Sequence, residues 1–237
     1  MIYRSMLAAI AVLLLLPGMV LAQDPAPATE AETAVDLPPS KVPTAEEIAL
    51  ATSLADTAIA KAKVGDLFEN VTDSDVPAVR HKLSGMICKF DPDEELSIHV
   101  YDGLPRGDDV SCSNQTLGIT QTLYATRYPQ RPTARQIVEA SLVAIRQRFT
   151  DIKAYEGTAV SIKREGNDLP LIATSRMEAK LNGQAVFSKS SAVVIGDWVI
   201  AQRVTGPITE ATVADLLAEI TLTLVIDEVT EHNAKGE

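Results

Sequence analysis

The chain has 237 residues, is 46% hydrophobic and carries a formal net charge of −11 at pH 7. That acidic balance argues against nucleic acid as an electrostatic partner, and an aromatic content of 4% argues against an extended base- or sugar-stacking platform. The apolar fraction can bury a substantial core, and the length suits one domain with appended segments.

The N-terminus, MIYRSMLAAIAVLLLLPGMVLA, has the layout of a secretory signal. Arg4 supplies positive charge, Met6 to Leu16 is an unbroken apolar run, Pro17 and Gly18 interrupt it, and Val20 and Ala22 flank a cleavage point before Gln23. The run falls short of the ~20 apolar residues that span a bilayer. The expectation is export with loss of residues 1–22, to a periplasm or outside the cell, with no transmembrane segment remaining. Residues 23–43 are rich in Pro, Ala and Glu and hold few bulky apolar groups, so they read as a disordered linker.

Thr44-x-x-Glu47 is a capping box that opens a helix over 44–64, with Ile48, Ala51, Ala55, Ile59 and Ala62 at helical spacing. Its stripe is mostly alanine, suited to close packing on the domain or on a partner. A globular domain over 65–226 follows. Alternating patterns predict strands at 85–90, 95–101, 109–113 and 117–128. Thr133-x-x-Gln136 caps a helix whose stripe is Val138, Leu142, Ile145 and Phe149. A strand is expected at 158–164, then a meander at 171–181, 184–195 and 198–204, turned by Asn182-Gly183 and Gly196-Asp197. Thr209 is expected to cap a last helix carrying Val213, Leu216, Leu217, Ile220 and Leu224, with a polar tail over 227–237. The fold class is α+β: a largely antiparallel sheet of about six or seven strands, two helices packed on one face, plus the N-terminal helix.

The chain has only two cysteines. Strand alternation sets Cys88 with Met86 and Phe90, and Cys112 with Val110, so both sulfurs share apolar faces. In an exported chain two such thiols pair. Zinc is disfavoured because neither cysteine has a metal-ligand partner at short spacing.

The segment QAVFSKSSAVVIGDWVIAQRVTGP, followed by a helix and set in a long meander, resembles the PsbP/Mog1-type α/β sandwich. SGMICKF, DVSCSN and TLYATRY resemble segments of exported bacterial proteins that bring no activity to carry over. The resemblance implies an α/β sandwich common among small exported and binding proteins. Fold analogy alone assigns no function.

The sequence holds no nucleophile elbow, zinc-protease helix or glycine-rich phosphate loop. Ser84, His99 and Asp102 could be drawn as a triad, and His81 precedes Ser84 by three residues, but the usual sequence context is missing. The acidic stretch DPDEEL carries Leu96 where a calcium loop needs glycine, so it reads as a solvated turn. One basic segment stands out: YATRYPQRPTARQ places Arg127, Arg131 and Arg135 at a helix start, where guanidinium groups could hold an anion. The alternative is that these arginines balance nearby acids.

These features favour an exported, non-enzymatic binding or scaffold protein whose partner is another envelope protein or an anionic envelope component. No cofactor or metal is expected, and the alternative is a periplasmic hydrolase whose site has no sequence signature.

Overall fold

The computed structural model describes residues 42–162 and 170–236. The expected signal at 1–22, most of the linker at 23–43 and the end of the strand expected at 158–164 lie outside the described residues. Helix α1 spans Ala45–Ala62, capped by Thr44 and Glu47 as the capping box requires. Its buried residues are Ala51, Ala55 and Ala58, so the alanine stripe packs on the domain itself. Three short strands follow, β1 (Phe68–Asn70), β2 (Ala78–His81) and β3 (Ile87–Lys89), pairing in that order as a small antiparallel sheet. Only β3 was expected.

The main sheet has seven antiparallel strands. Strands β4 (Ser97–Val100), β5 (Asp109–Thr116) and β6 (Ile119–Thr126) form one meander. Helix α2 (Ala134–Arg148) then crosses to β7 (Thr150–Ala154), which begins a second meander through β8 (Ala173–Leu181), β9 (Gln184–Ile195) and β10 (Trp198–Pro207). Pairing of β6 with β10 joins the two, giving the order β4-β5-β6-β10-β9-β8-β7. Asn182 and Gly183 both have positive φ (50° and 81°), as a tight two-residue hairpin demands. The strand expected at 158–164 is instead β7, directly after α2, while residues 155–162 are irregular.

The two long helices lie on opposite faces of the sheet, which corrects the expectation that they share one. Even-numbered residues of β9, Val186 and Ala192 among them, meet Ile145 and Val138 of α2. Odd-numbered ones, Phe187 and Val193, meet helix α3 (Ala211–Lys235). Strand β9 is buried on both sides, and its small or apolar residues at both parities permit this.

Helix α3 also presents a different stripe from the expected one. It buries Ala211, Ala214, Asp215, Ala218 and Leu222, while Val213, Leu216, Ile220 and Leu224 are exposed. The alanines bring the helix axis close to the sheet, and Asp215 has a buried partner there. Thr209 makes no cap; residues Ile208–Glu210 enter the helix as a 3-10 turn. The expected polar tail from Asp227 is helical to Lys235, because Val225, Ile226 and Val229 continue the buried spacing. Gly85 (φ 76°) turns β2 into β3, and a Cβ there would collide with the His232 side chain, so glycine is needed for conformation and contact alike.

Cys88 and Cys112 form the disulfide, with Cα atoms 6.4 Å apart. The bond links β3 to β5, tying the small sheet to the main one inside the largest core cluster. No helix among the described residues is long and apolar enough to cross a membrane.

Candidate functional site

Several places among the described residues hold chemistry-bearing side chains. The arginine segment comes first. Arg127 donates to Asp108 from Nε at 3.0 Å and from a terminal nitrogen at 2.5 Å, and its guanidinium lies 5.2 Å from the Trp198 ring centroid. Arg131 pairs with Asp197. Arg135 is exposed on the first turn of α2 and, with Arg131, borders a wide depression of about 1000 Å³. Arg127 does not line that depression, and Arg127 and Arg131 are each held by a carboxylate of their own.

The second place is the turn between β2 and β3. His81 and Ser84 are both fully buried, with His81 Nδ1 2.8 Å from Ser84 Oγ. Ser84 Oγ also accepts from the Met86 amide at 3.2 Å. Phe68 and Trp198 flank the imidazole at 5.1 and 5.5 Å. Burial, the main cause, lowers the His81 pKa to about 4, so the ring is neutral at pH 7. This pair has no exposure through which a substrate could reach it. His99 is exposed, on the side of β4 opposite the buried Ile98, so Ser84, His99 and Asp102 form no triad.

Third, a charge cluster lies between the sheet and α3. Lys189 of β9, 1% exposed, donates to Asp215 at 2.7 Å and Glu219 at 2.5 Å. Arg176 of β8 donates to the same two acids at 2.9 and 3.1 Å and to the Val160 carbonyl at 2.6 Å. The Val160 amide completes the Asp215 shell at 2.7 Å. Burial alone would raise the Asp215 pKa, but the bonds from Lys189, Val160 and Arg176 outweigh it and the net direction is down. Two cations meet two anions, and each is hydrogen-bonded. The cluster holds β8, β9, the 155–160 segment and α3 together.

The fourth place is a groove of about 350 Å³ between α2 and the β6–β10 seam. Strand alternation builds its floor. Asp109 pairs across to Thr126 and Thr126 to Val199, while one row along, Ser111, Tyr124 and Ala201 align. Arg203 stands in the next row, opposite Thr122. Tyr101 and Tyr128 close one end, and Ile137, Ala140 and Ala144 of α2 form a mostly apolar wall that also includes Ser141. Three of the chain's five tyrosines therefore gather here.

The polar groups of this groove are held in place. Thr126 donates to Asp109 at 2.8 Å, and the Tyr101 hydroxyl lies 3.1 Å from Ser111 Oγ. Burial raises the Asp109 pKa against that threonine bond, and burial likewise raises Tyr124 and Tyr128. Arg203 differs from them. Its Nε is sealed from solvent with no hydrogen-bond partner, and no carboxylate among the described residues pairs with it. Sequence reasoning passed over Arg203 because it stands alone in the strand AQRVTG. The available signal was its parity: it shares a face with Val199 and Ala201, where a permanent charge is out of place.

No protein-family model and no curated protein matches this sequence.

Proposed function

We propose that this chain is an exported, non-enzymatic binding or scaffold protein of the cell envelope, and that it takes its partner in the groove between α2 and the β6–β10 seam. The observation that carries the reading is the groove's composition: tyrosines and an unpaired guanidinium against an apolar helix wall, in a chain otherwise poor in aromatics. Sites of this type bury a ligand on apolar and aromatic surface and orient it with a few polar groups. Export is supported by the signal-like N-terminus and by the disulfide, which persists in oxidising compartments. The His81–Ser84 pair, enclosed in the core, gives the hydrolase alternative no accessible nucleophile.

A photo-crosslinking residue placed at Ala144, on the groove wall, should trap an envelope component in intact cells. The same residue at Val143, which points away and is 56% exposed, should not. Equal adducts at both positions, or none at Ala144, would reject the groove. Intact-mass measurement of protein recovered from the host should find a chain beginning at Gln23, and one retaining Met1 would reject export.

A further inference from the structure

We infer that the groove holds an oxyanion, the carboxylate or phosphate of a small organic ligand, on the Arg203 guanidinium beside Tyr124. This rests on the groove being the binding site and adds the chemistry of what binds there.

The argument starts from cost. A guanidinium stays protonated in any protein environment. Withdrawing it from water without a counter-charge is therefore unfavourable, and buried cations are normally paired. The chain follows that rule elsewhere. Arg80 and Arg176, the other two half-buried arginines among the described residues, meet Glu69 and Asp215. Among the described residues Arg203 meets neither an acid nor, at Nε, any acceptor.

Its neighbours do not make up the deficit. Tyr124 is kept neutral, since burial raises its pKa more than Arg203 lowers it. Asp109 lines the same groove, but it lies in the row of Thr126 and Val199, and Val199 is four residues back along β10 from Arg203. At the rise of a β-strand that is about 13 Å along the chain direction. The Asp109 carboxylate is moreover bonded to Thr126. The groove is thus polarised, with a cationic end at Arg203 and an acceptor end at Asp109 and Tyr128. Because Nε is sealed from solvent, an oxyanion at the first end would take its two N–H donors from the terminal nitrogens of the fork, a geometry that carboxylates and phosphates share. The organic remainder would lie against Ile137, Ala140 and Ala144. A groove of about 350 Å³ is at the small end of ligand sites, which fits a small molecule better than a protein surface.

The test uses the full chain labelled with fluorotyrosine, its resonances assigned through single Tyr→Phe variants. Benzoate, hexanoate, phenyl phosphate and hexyl phosphate are titrated separately, with hexanol as the uncharged control. Anions should shift the Tyr124 resonance saturably and hexanol should not; the carboxylate and phosphate arms show which oxyanion is preferred. Arg203→Gln should weaken anion binding by about tenfold or more, the loss of one charge-assisted contact. Arg203→Lys, which keeps the charge, should retain part of it and also serves if the glutamine variant does not fold. Failure of every anion to shift Tyr124, or equal affinity in Arg203→Gln, overturns the oxyanion assignment. Hexanol binding as tightly as hexanoate overturns it too, while leaving the groove as the site; loss of the Ala144 crosslink separately rejects the groove itself.

Discussion

Lys189 and Arg203 lie on adjacent strands of one sheet, yet their charges are treated in opposite ways. Lys189 faces α3 and is almost wholly enclosed, with two carboxylates on its ammonium and a second cation completing the cluster. Arg203 faces the α2 side, is half buried, and has no carboxylate partner among the described residues. A matched buried charge is a structural joint, because its desolvation is offset inside the protein. An unmatched one leaves part of that offset to something outside the chain. The distinction depends on partners rather than on burial, since the more deeply buried cation is the one whose charge is matched.

The comparison breaks most visibly if Lys189 is removed. Lys189→Met leaves Asp215 buried with one cation fewer, and unfolding by urea should show a loss of about 3–5 kcal/mol. Adding Asp215→Leu should recover part of it, as apolar replacement of both partners often does. A single variant within about 1 kcal/mol of wild type would show the cluster to be dispensable.

Next in size is the disulfide, which shares the α3 side. Replacing Cys88 and Cys112 by alanine should cost about 3–4 kcal/mol for a loop of this length in the chain-entropy model. Unchanged stability would mean that the two sheets hold together without the bond.

The third effect is a pH dependence. The folded pKa of His81, about 4, lies below its ordinary 6.5, through burial first and then the charges of His232 and Arg127 against that of Asp108. Between those values the unfolded chain takes the proton and the folded one does not. Stability from this group is therefore complete above pH 6.5 and falls as pH drops toward 4, by about 3 kcal/mol in all. Urea midpoints measured across that range should show the fall in wild type and a flatter curve in His81→Gln. Matching curves would remove His81 as the cause.

The smallest effect sharpens the contrast. Arg203→Gln should change the stability of the unliganded protein by less than about 1 kcal/mol, or raise it, because it breaks no internal pair. A loss as large as that of Lys189→Met would make Arg203 another structural joint and end the distinction.

The sequence was most legible where local chemistry decides structure. Both capping boxes formed with both reciprocal bonds. The β8–β10 meander, its Asn182-Gly183 turn and the cysteine pairing stood as read. Choices between faces were less legible. Val213, Leu216, Ile220 and Leu224 make the more hydrophobic stripe of α3, but the alanine stripe beside them permits closer approach and carries Asp215 to Lys189. Hydrophobicity alone ranks the first stripe higher; pairing and distance rank the second. The small sheet was passed over at β1 and β2 because strands of three and four residues show too little alternation to read. The site was hidden for a related reason. Clustered arginines attract notice in a sequence, whereas Arg203, Asp109 and the tyrosines converge only through strand register.

The seam between β6 and β10 has a kinetic consequence. The β4–β6 and β8–β10 stretches are built from strand pairs whose partners are close in the chain, and these contacts close quickly. Pairing of Thr126 with Val199 and Thr120 with Thr205 spans more of the sequence than any other joint in the sheet, so it carries the larger loop-closure entropy. Refolding of the oxidised chain should therefore show two fast local phases that leave Tyr124 and Arg203 on separate pieces, followed by a slower docking step that first brings them together. Capacity for ligand would appear with that last step, and an anion binding across the seam would slow its reopening rather than hasten its formation.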